Sequence, residues 1–448
     1  MRPDLLFINT GYGPVAVAGE RIMAMGQDAP ETAPEVIDCQ GKWLLPGGVD
    51  AHTHVGLQAG SQHVCDGWFH GSQAALAGGT TSIIEHISFD PDCSPQAALE
   101  RAWAEAQGQC CCDYGLHGVV QRLNHSLTAA LEQEKSRGVV SWKAYTTYDY
   151  AIAGAQLKQL LAACAAAGVL LTLHCEDDAL LRRARQKLLD TGRLAPSYHP
   201  LARPAAAEAQ AVAAALSAAR QLGDAPLYIV HLSCQAALDQ VRQARQLGQQ
   251  NIYVETCPQY LLLDDSVYQQ GTAAALEAAM SPPLRGAADR EALWQGLSDG
   301  SIDVLATDHC RFSLAQKRLG QEDLRLTPNG APGVEERLTL LLSQGVQSGR
   351  ISLERAIDLL SAAPARIFGL RGKGRLAPGF DADLVLFDPQ AACGFQAESL
   401  HGAGEYSLYR NQDLRGRVEA VWLRGRRVYD RGRVTAPAGL GNYLRREL

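Results

Sequence analysis

Short apolar runs alternate with longer Ala- and Leu-rich stretches through the middle of the chain. Seven of these runs have the length and composition of buried strands, and they cover residues 81–84, 114–120, 139–143, 169–174, 227–231, 251–255 and 302–307. An eighth run begins at Trp43 and ends at His52. Stretches between them, such as 155–167, 204–222 and 353–368, have helical composition and are followed by Gly. Eight strands alternating with helices predict an α/β fold, a (β/α)8 TIM barrel.

Both ends of the chain show a different pattern, in which short apolar segments are separated by turns. These segments are residues 5–8, 15–17 and 21–25 near the start, and 382–387 and 418–423 near the end. We predict that residues 1–50 and 372–448 together form one small β-sandwich domain beside a catalytic barrel over residues 51–371. A chain of 448 residues has room for both.

Composition and charge narrow the class of partner. Hydrophobic residues make up 46% and charged residues 20% of the chain, as in globular proteins with a large core. The net charge of −7 argues against nucleic acid or an anionic membrane as a partner. No apolar run approaches the roughly 18 residues of a membrane span, and the 12 Cys show no C-x-x-C pattern. Without a signal-peptide pattern at the start, we expect a cytoplasmic protein with reduced thiols.

Candidate metal-binding side chains occur at the carboxyl ends of the predicted strands. His52 and His54 are two residues apart at the end of the first strand, so their side chains share one face. Four later strands end in further candidates, namely Lys143, His174, His231 and Asp308. Each residue alone is compatible with a structural role, but all six at the rim where barrel enzymes build their sites favour a metal centre. Four His, one Asp and a bridging anion suit two divalent ions of the zinc type.

Lys143 is the unusual member of this set, because a protonated amine is a poor metal ligand. A lysine that faces a dication from a buried strand can lose its proton. The neutral amine can then add carbon dioxide and become an N6-carboxylated lysine, whose carboxylate can bridge two metals.

Several short motifs surround these residues. They are PGGVDAHTH at 46–54, AGGTT at 77–81, SWK at 141–143 with Tyr148 five residues on, HLS at 231–233, ETCPQY at 255–260, SPPLR at 281–285, TDHC at 307–310 and PNGAPGVE at 328–335. Together these motifs resemble the cyclic amidases of the amidohydrolase superfamily, and within them the hydantoinase and dihydropyrimidinase group. The resemblance extends over nearly the whole chain.

The resemblance implies a centre of two divalent metal ions, with zinc as the expected metal. Its ligands would be His52, His54 and Asp308 on one ion, His174 and His231 on the other, and carboxylated Lys143 bridging both. It also implies that the cyclic amide of the substrate is held by Tyr148, Ser281 and Asn329, the last two largely through their backbone.

The implied activity is hydrolytic opening of a hydantoin or dihydropyrimidine ring to an N-carbamoyl amino acid. Asp308 would accept a proton and return it to the leaving nitrogen, and Tyr148 would stabilise the oxyanion. The partner is then a small molecule, and the resemblance implies a homotetramer. Leu57–His63 and Tyr145–Tyr150 are expected near the exocyclic substituent of the substrate, and neither stretch contains Arg or Lys.

Three alternatives stay open from the sequence. Allantoinase is one, and dihydroorotase is another. Dihydroorotase usually has an Arg two residues after the second His to bind the substrate carboxylate, and this chain has Gly56 there. Arg311, which stands where Pro is common, could instead supply that cation at the mouth of the pocket. The third alternative is a non-catalytic dihydropyrimidinase-related assembly protein, but such proteins lack the metal ligands that this chain retains.

Overall fold

The computed structural model describes residues 2–59, 62–88, 93–123 and 126–448. Its centre is a sheet of eight parallel strands in which neighbours in space follow each other along the chain. Numbered 1 to 8 below, they are Gly48–Thr53, Thr80–His86, Asp113–Val119, Ser141–Tyr145, Leu170–His174, Leu227–Ile229, Ile252–Thr256 and Val304–Leu305. The sheet closes where Thr53 pairs with His309, and the His54 N–H donates to the His309 carbonyl at 2.8 Å. The barrel prediction is confirmed.

Helices alternate with these strands around the barrel. The helix predicted over 155–167 is present as Ala155–Ala167, and that over 204–222 is Ala205–Gln221. The other α-helices are Gly67–Ala77, Pro95–Ala106, Leu127–Lys135, Asp178–Asp190, His199–Ala202, Gln235–Gln246, Pro258–Leu262, Thr272–Glu277, Ala287–Asp299, Leu314–Lys317 and Arg337–Leu341.

The region predicted as one helix over 353–368 consists of three consecutive helical segments. The α-helix Leu353–Ile357 is followed by a π-helical segment, Asp358–Ala362, and by the α-helix Ala363–Ile367. Pro364 lies at the start of the last segment, and a proline has no N–H to donate to the preceding turn. The wider π-helical turn accommodates this loss. Another π-helical segment, Leu342–Gln347, extends the helix Arg337–Leu341.

The two ends of the chain form two sheets that pack face to face beside the barrel. One contains Leu5–Ile8, Val15–Ala18, Arg21–Met25 and Glu35–Asp38, and the other Trp43–Pro46, Leu384–Cys393, Leu414–Leu423, Arg426–Asp430 and Arg433–Val434. Apolar side chains from both, including Phe7, Leu384 and Trp422, share one buried core. The predicted sandwich from both chain ends is therefore confirmed. A two-stranded hairpin, Gln58–Ala59 with Gln62–His63, follows barrel strand 1.

The run predicted as the first barrel strand is divided between two sheets. Trp43–Pro46 pairs with Leu384–Cys393 in the outer sheet, and only Gly48–Thr53 belongs to the barrel. Gly47 lies at this crossing, where a Cβ atom would come within 2.1 Å of Thr81 Oγ1. Only glycine permits this close approach, so the chain changes sheets at this residue.

Residues near the end of the chain cover the amino end of the barrel. The Tyr114 N–H donates to the Asn442 carbonyl at 3.0 Å, and the Leu444 N–H donates to the Tyr114 carbonyl at 2.7 Å. Arg446 is buried, and its guanidinium donates to Ser141 Oγ at 2.7 Å and to the Leu116 carbonyl. This segment, residues 442–446, thereby satisfies polar groups of barrel strands 3 and 4 at their amino ends.

Among the described residues, no helix is long and apolar enough to cross a membrane. All 12 cysteines lie in the described part of the chain, and each is a free thiol.

Candidate active site

Three of the predicted ligands meet at the carboxyl end of barrel strands 1 and 8. His52 Nε2 and His54 Nε2 are 3.2 Å apart, because side chains two residues apart leave a strand on the same face. Asp308 Oδ1 lies 3.0 Å from the first of these nitrogens and 3.1 Å from the second. Burial lowers the pKa of His54 to about 4, so its imidazole is neutral and can act as a ligand. These three donors could hold one metal ion.

A second pair of histidines lies beside this group on barrel strand 5 and just after strand 6. His174 Nδ1 and His231 Nε2 are 2.9 Å apart, and both side chains are buried. Burial also holds the pKa of each imidazole below its usual range. The pair therefore offers two neutral nitrogen donors toward one point, as a second metal ion requires.

Lys143 lies between the two groups. The sequence predicted that barrel strand 4 ends at Lys143, but the strand continues to Tyr145. The Lys143 Nζ is 3.4 Å from His52 Nε2, and the residue is only 1% exposed. Burial lowers the pKa of this amine to about 8. The neutral form of an amine is the one that reacts with carbon dioxide, and the lowered pKa makes this form of Lys143 more abundant near neutral pH.

Two buried carboxylates orient the imidazoles of this cluster. Glu255 accepts from His52 Nδ1 at 2.7 Å, and Glu176 accepts from His174 Nε2 at 2.8 Å. Although burial raises the pKa of a carboxyl group, Arg203 and His174 bring that of Glu176 to about 2. A carboxylate on the far nitrogen of a ligand histidine fixes the ring and increases its basicity. The donor set therefore fits two divalent metal ions in both its composition and its supporting contacts.

Three residues of the site have left-handed backbone conformations. The φ angles are +73° for Tyr148, +36° for His231 and +52° for Asp308. Residues other than glycine rarely adopt this region, which costs roughly 1–3 kcal/mol each and is concentrated at functional sites. At these positions the chain turns sharply after a barrel strand, which directs the side chains of Tyr148, His231 and Asp308 toward one cavity.

The cluster forms the floor of a cavity of about 1200 Å³. Tyr148, Ser281 and Asn329, the predicted substrate-binding residues, all line it. Ser281 Oγ and Asn329 Oδ1 are buried and have no hydrogen-bond partner within the described part of the chain. Buried polar atoms are normally paired, so these two atoms have unused capacity to bind a ligand.

The wall expected near the exocyclic substituent is partly apolar and partly charged. Leu57, Tyr145 and Tyr150 line the cavity, as predicted, whereas residues 60–61 of the stretch Leu57–His63 lie outside the described residues. Arg101 and Arg122 also line the cavity and are exposed. They belong to other loops of the barrel, so the two stretches identified from the sequence did not reveal these cations.

Arg311 does not line the cavity. Its side chain is completely buried, and its Nη1 lies 3.5 Å from Asp66 Oδ1. The neighbouring His309 also points away from the cluster, since its Nε2 donates to Asp66 Oδ2 at 2.8 Å. Arg311 therefore supports the loop after strand 8 rather than the mouth of the cavity.

Sequence reasoning did not identify the residues that support the ligands. Glu176 follows barrel strand 5, and Glu255 is the last residue but one of barrel strand 7. These positions at the same rim as the ligand histidines could have indicated a role in the site. Arg203 carried no such signal, because it lies in a loop whose placement depends on the whole barrel. Arg203 joins Glu176 to Tyr148, donating to the tyrosine Oη at 3.4 Å.

With this geometry, the chain can be placed among known proteins. It belongs to the amidohydrolase family, whose family model matches residues 43–428. This family is metal-dependent, in agreement with the His and Asp cluster.

Within that family the chain is similar to the hydantoinases and dihydropyrimidinases, as its motifs predicted. D-phenylhydantoinase of Escherichia coli O1:K1 / APEC is 42% identical over 430 residues, which cover 95% of this chain and 93% of that protein. The crystal structure of dihydropyrimidinase from Brevibacillus agri NCHU1002 matches with a TM-score of 0.94 at 34% identity, covering 100% of this chain and 98% of that one. D-hydantoinase (dihydropyrimidinase) from Thermus sp. matches with a TM-score of 0.95 at 34% identity, covering 99% of each chain.

Proposed function

We propose that this protein is a hydantoinase that opens hydantoin or dihydropyrimidine rings to N-carbamoyl amino acids, with D-5-aryl- or alkyl-substituted hydantoins as preferred substrates. The observation that carries the proposal is the placement of six metal-binding side chains beneath two unpaired polar groups. Those groups belong to Ser281 and Asn329, which line the same cavity, and their Oγ and Oδ1 atoms have no hydrogen-bond partner in the described part of the chain. A cyclic amide presents both N–H and C=O groups to such a wall.

The proposed cofactor is a pair of zinc ions. His52, His54 and Asp308 would hold one ion, and His174 and His231 the other. When bound, the ions acidify the water that attacks the ring carbonyl. We also propose that Lys143 is N6-carboxylated and supplies the bridging carboxylate. The low pKa and buried position of this amine support that assignment.

Asp308 is proposed to move the proton. Although burial alone would raise its pKa, His52 and His54 hold the pKa of Asp308 well below its usual range. The carboxylate is therefore charged at neutral pH and can accept a proton from the attacking water. Because its side chain lines the cavity, it can then deliver that proton to the leaving ring nitrogen.

Tyr148 is proposed to stabilise the oxyanion. Its hydroxyl oxygen accepts a hydrogen bond from Arg203 Nη2 at 3.4 Å. Since that contact occupies a lone pair of the oxygen, the phenolic proton remains available to the substrate oxygen.

The proposal extends to the organisation of the protein. We infer the division predicted from the sequence, a catalytic barrel over residues 51–371 and a composite sandwich domain of residues 1–50 and 372–448, except that residues 48–50 belong to the first barrel strand. A cytoplasmic location and a homotetrameric assembly are proposed from the similarity to hydantoinases. A non-catalytic assembly role is disfavoured because the six metal-binding side chains are retained and lie together.

The experiment that tests the function compares turnover of the zinc-loaded protein on phenylhydantoin, dihydrouracil, allantoin and dihydroorotate. Phenylhydantoin and dihydrouracil should be opened much faster than dihydroorotate. An apolar wall gains roughly 0.8 kcal/mol per buried methylene, whereas the exposed guanidinium groups of Arg101 and Arg122 bind a carboxylate only weakly. A catalytic efficiency on dihydroorotate equal to that on phenylhydantoin would contradict the assignment.

Two arginine variants show which cation, if either, binds the carboxylate of dihydroorotate. Arg122→Ala removes an exposed cation that lines the cavity, and Arg311→Ala removes a buried one that does not. We expect Arg311→Ala to lower the melting temperature without changing the order of substrate preference. A preference for dihydroorotate that Arg122→Ala abolishes would instead identify the protein as a dihydroorotase.

A further inference from the structure

The ammonium group of Lys317 lies among backbone carbonyl groups behind two loops of the active-site cavity. The residue is completely buried. Its Nζ donates to the carbonyl oxygens of Ala279 at 2.8 Å, Pro328 at 2.9 Å and Gly330 at 2.6 Å. An ammonium group has three N–H donors, so these three contacts use all of them. Lys317 thereby joins the loop that contains Ser281 to the loop that contains Asn329.

These contacts determine how the backbone of Asn329 is oriented. The Pro328 carbonyl and the Asn329 N–H belong to one trans peptide and point in opposite directions. Since Lys317 holds the carbonyl, the N–H is directed away from the ammonium group. The next peptide is fixed as well, because the Gly330 N–H donates to the Ala279 carbonyl at 3.0 Å. The Asn329 carbonyl, which shares that peptide, must point the opposite way.

The other loop has a comparable support. His199 Nε2 contacts the Met280 carbonyl at 2.7 Å, and this carbonyl shares its peptide with the Ser281 N–H. Burial lowers the pKa of His199 to about 4, so the ring is neutral and donates through Nε2. The carbonyls that precede Ser281 and Asn329 thus each accept a hydrogen bond from a buried side chain, His199 for the first and Lys317 for the second.

We propose that Lys317 is a positioning residue for substrate binding, which holds the backbone N–H and C=O of Asn329 toward the –NH–CO– edge of the cyclic amide. This inference rests on the proposed function. The charge of the ammonium polarises the Pro328–Asn329 peptide and strengthens its N–H as a donor. Contacts to the ring edge exist both before and during the reaction, so their loss affects KM more than the turnover number.

The test measures KM, turnover number and metal content for Lys317→Met and Lys317→Gln with dihydrouracil as substrate. Methionine has nearly the length of lysine but neither charge nor donors, and we expect KM to rise about tenfold or more. The turnover number should change less than about threefold, and the metal content should stay the same. Glutamine keeps two donors, so its KM should lie between those of the methionine variant and the wild type.

Lys373→Met and Lys135→Met are the controls. Lys373 is a buried lysine that pairs with Asp113, Asp381 and Asp383 near the amino end of the barrel. Its loss should reduce the melting temperature without changing KM. The half-buried Lys135, whose ammonium donates to the Ala167 carbonyl at 3.2 Å, is a milder control of the same kind. A similar rise of KM in either control, or a loss of turnover at unchanged KM in Lys317→Met, would overturn the proposal.

A measurement on the wild-type protein avoids any folding defect of the variants. Burial lowers the pKa of Lys317 to about 7, although the nearby Cys310 and Glu277 act to raise it. His199 is another titratable group close to this amine. Above that pH the neutral amine keeps two donors and turns a lone pair toward a carbonyl oxygen. KM for dihydrouracil, whose ring stays neutral, should therefore rise between pH about 6 and about 9. A pH dependence of KM that is the same in Lys317→Met as in the wild type would refute the proposal, whereas failure of the proposed function would leave the wild type without dihydrouracil turnover at all.

Discussion

Lys143→Ala is expected to purify with little bound metal and almost no hydantoinase activity. The side chain is buried beside both groups of ligands, and its Nζ lies 3.4 Å from His52 Nε2. Mutation of a residue that merely supports a metal ligand typically costs about 10- to 100-fold in activity. Removal of the bridge itself should cost more than about 100-fold. Metal analysis and turnover on phenylhydantoin measure both effects.

Rescue and a matched control make the Lys143 experiment specific. Acetate or propionate at high concentration should restore part of the metal content and activity, because either can place a carboxylate where the proposed Lys143 carbamate would lie. Lys135→Ala, on the outer helix Leu127–Lys135, should retain both metal and turnover. Full metal occupancy with normal turnover in Lys143→Ala would show that the lysine does not bridge the metals.

Asp308→Asn should retain the fold but lose turnover by about 10²- to 10⁴-fold, the usual cost of removing a positioned acid–base group. Asparagine has the same shape as aspartate, so the left-handed turn at φ +52° remains accessible to it. It cannot accept the proton of the attacking water. The measurements are the thermal unfolding curve, the metal content and the turnover number on phenylhydantoin.

Asp303→Asn is the matched control for this variant. Asp303 lies just before barrel strand 8, and its carboxylate pairs with Arg245 at 2.7 Å, away from the cavity. Its replacement should lower the melting temperature and leave the turnover number nearly unchanged. Near-normal turnover in Asp308→Asn would mean that another group carries the proton.

The barrel and the positions of its candidate ligands could be predicted because both depend on local pattern. Strand-length apolar runs define where the carboxyl ends lie, and side chains at those ends of a parallel sheet must converge. The i, i+2 spacing alone was enough to place His52 beside His54. The exact end of a strand was less certain, as Lys143 shows, since strand 4 continues to Tyr145.

Contacts between distant loops could not be predicted from pattern. Arg311 follows strand 8, but it turns into the interior toward Asp66 instead of toward the cavity. Arg122 lines the cavity although nothing in its neighbourhood marks it as a cation of the site. Lys317 has three carbonyl partners from two loops, and only the assembled fold brings them together. These placements depend on loop conformations that local hydrophobic pattern does not encode.

The segment of residues 442–446 at the amino end of the barrel has a practical consequence for attaching this enzyme to a solid support. The cavity opens at the carboxyl end of the barrel, so the end of the chain lies on the opposite side. Leu448 is 53% exposed, whereas Arg446 two residues earlier is buried. A linker fused after Leu448 would therefore leave the barrel contacts intact and direct the substrate entrance away from the matrix. Anchoring chemistry that displaces Arg446 would instead remove the hydrogen bonds that its guanidinium donates to Ser141 Oγ and the Leu116 carbonyl.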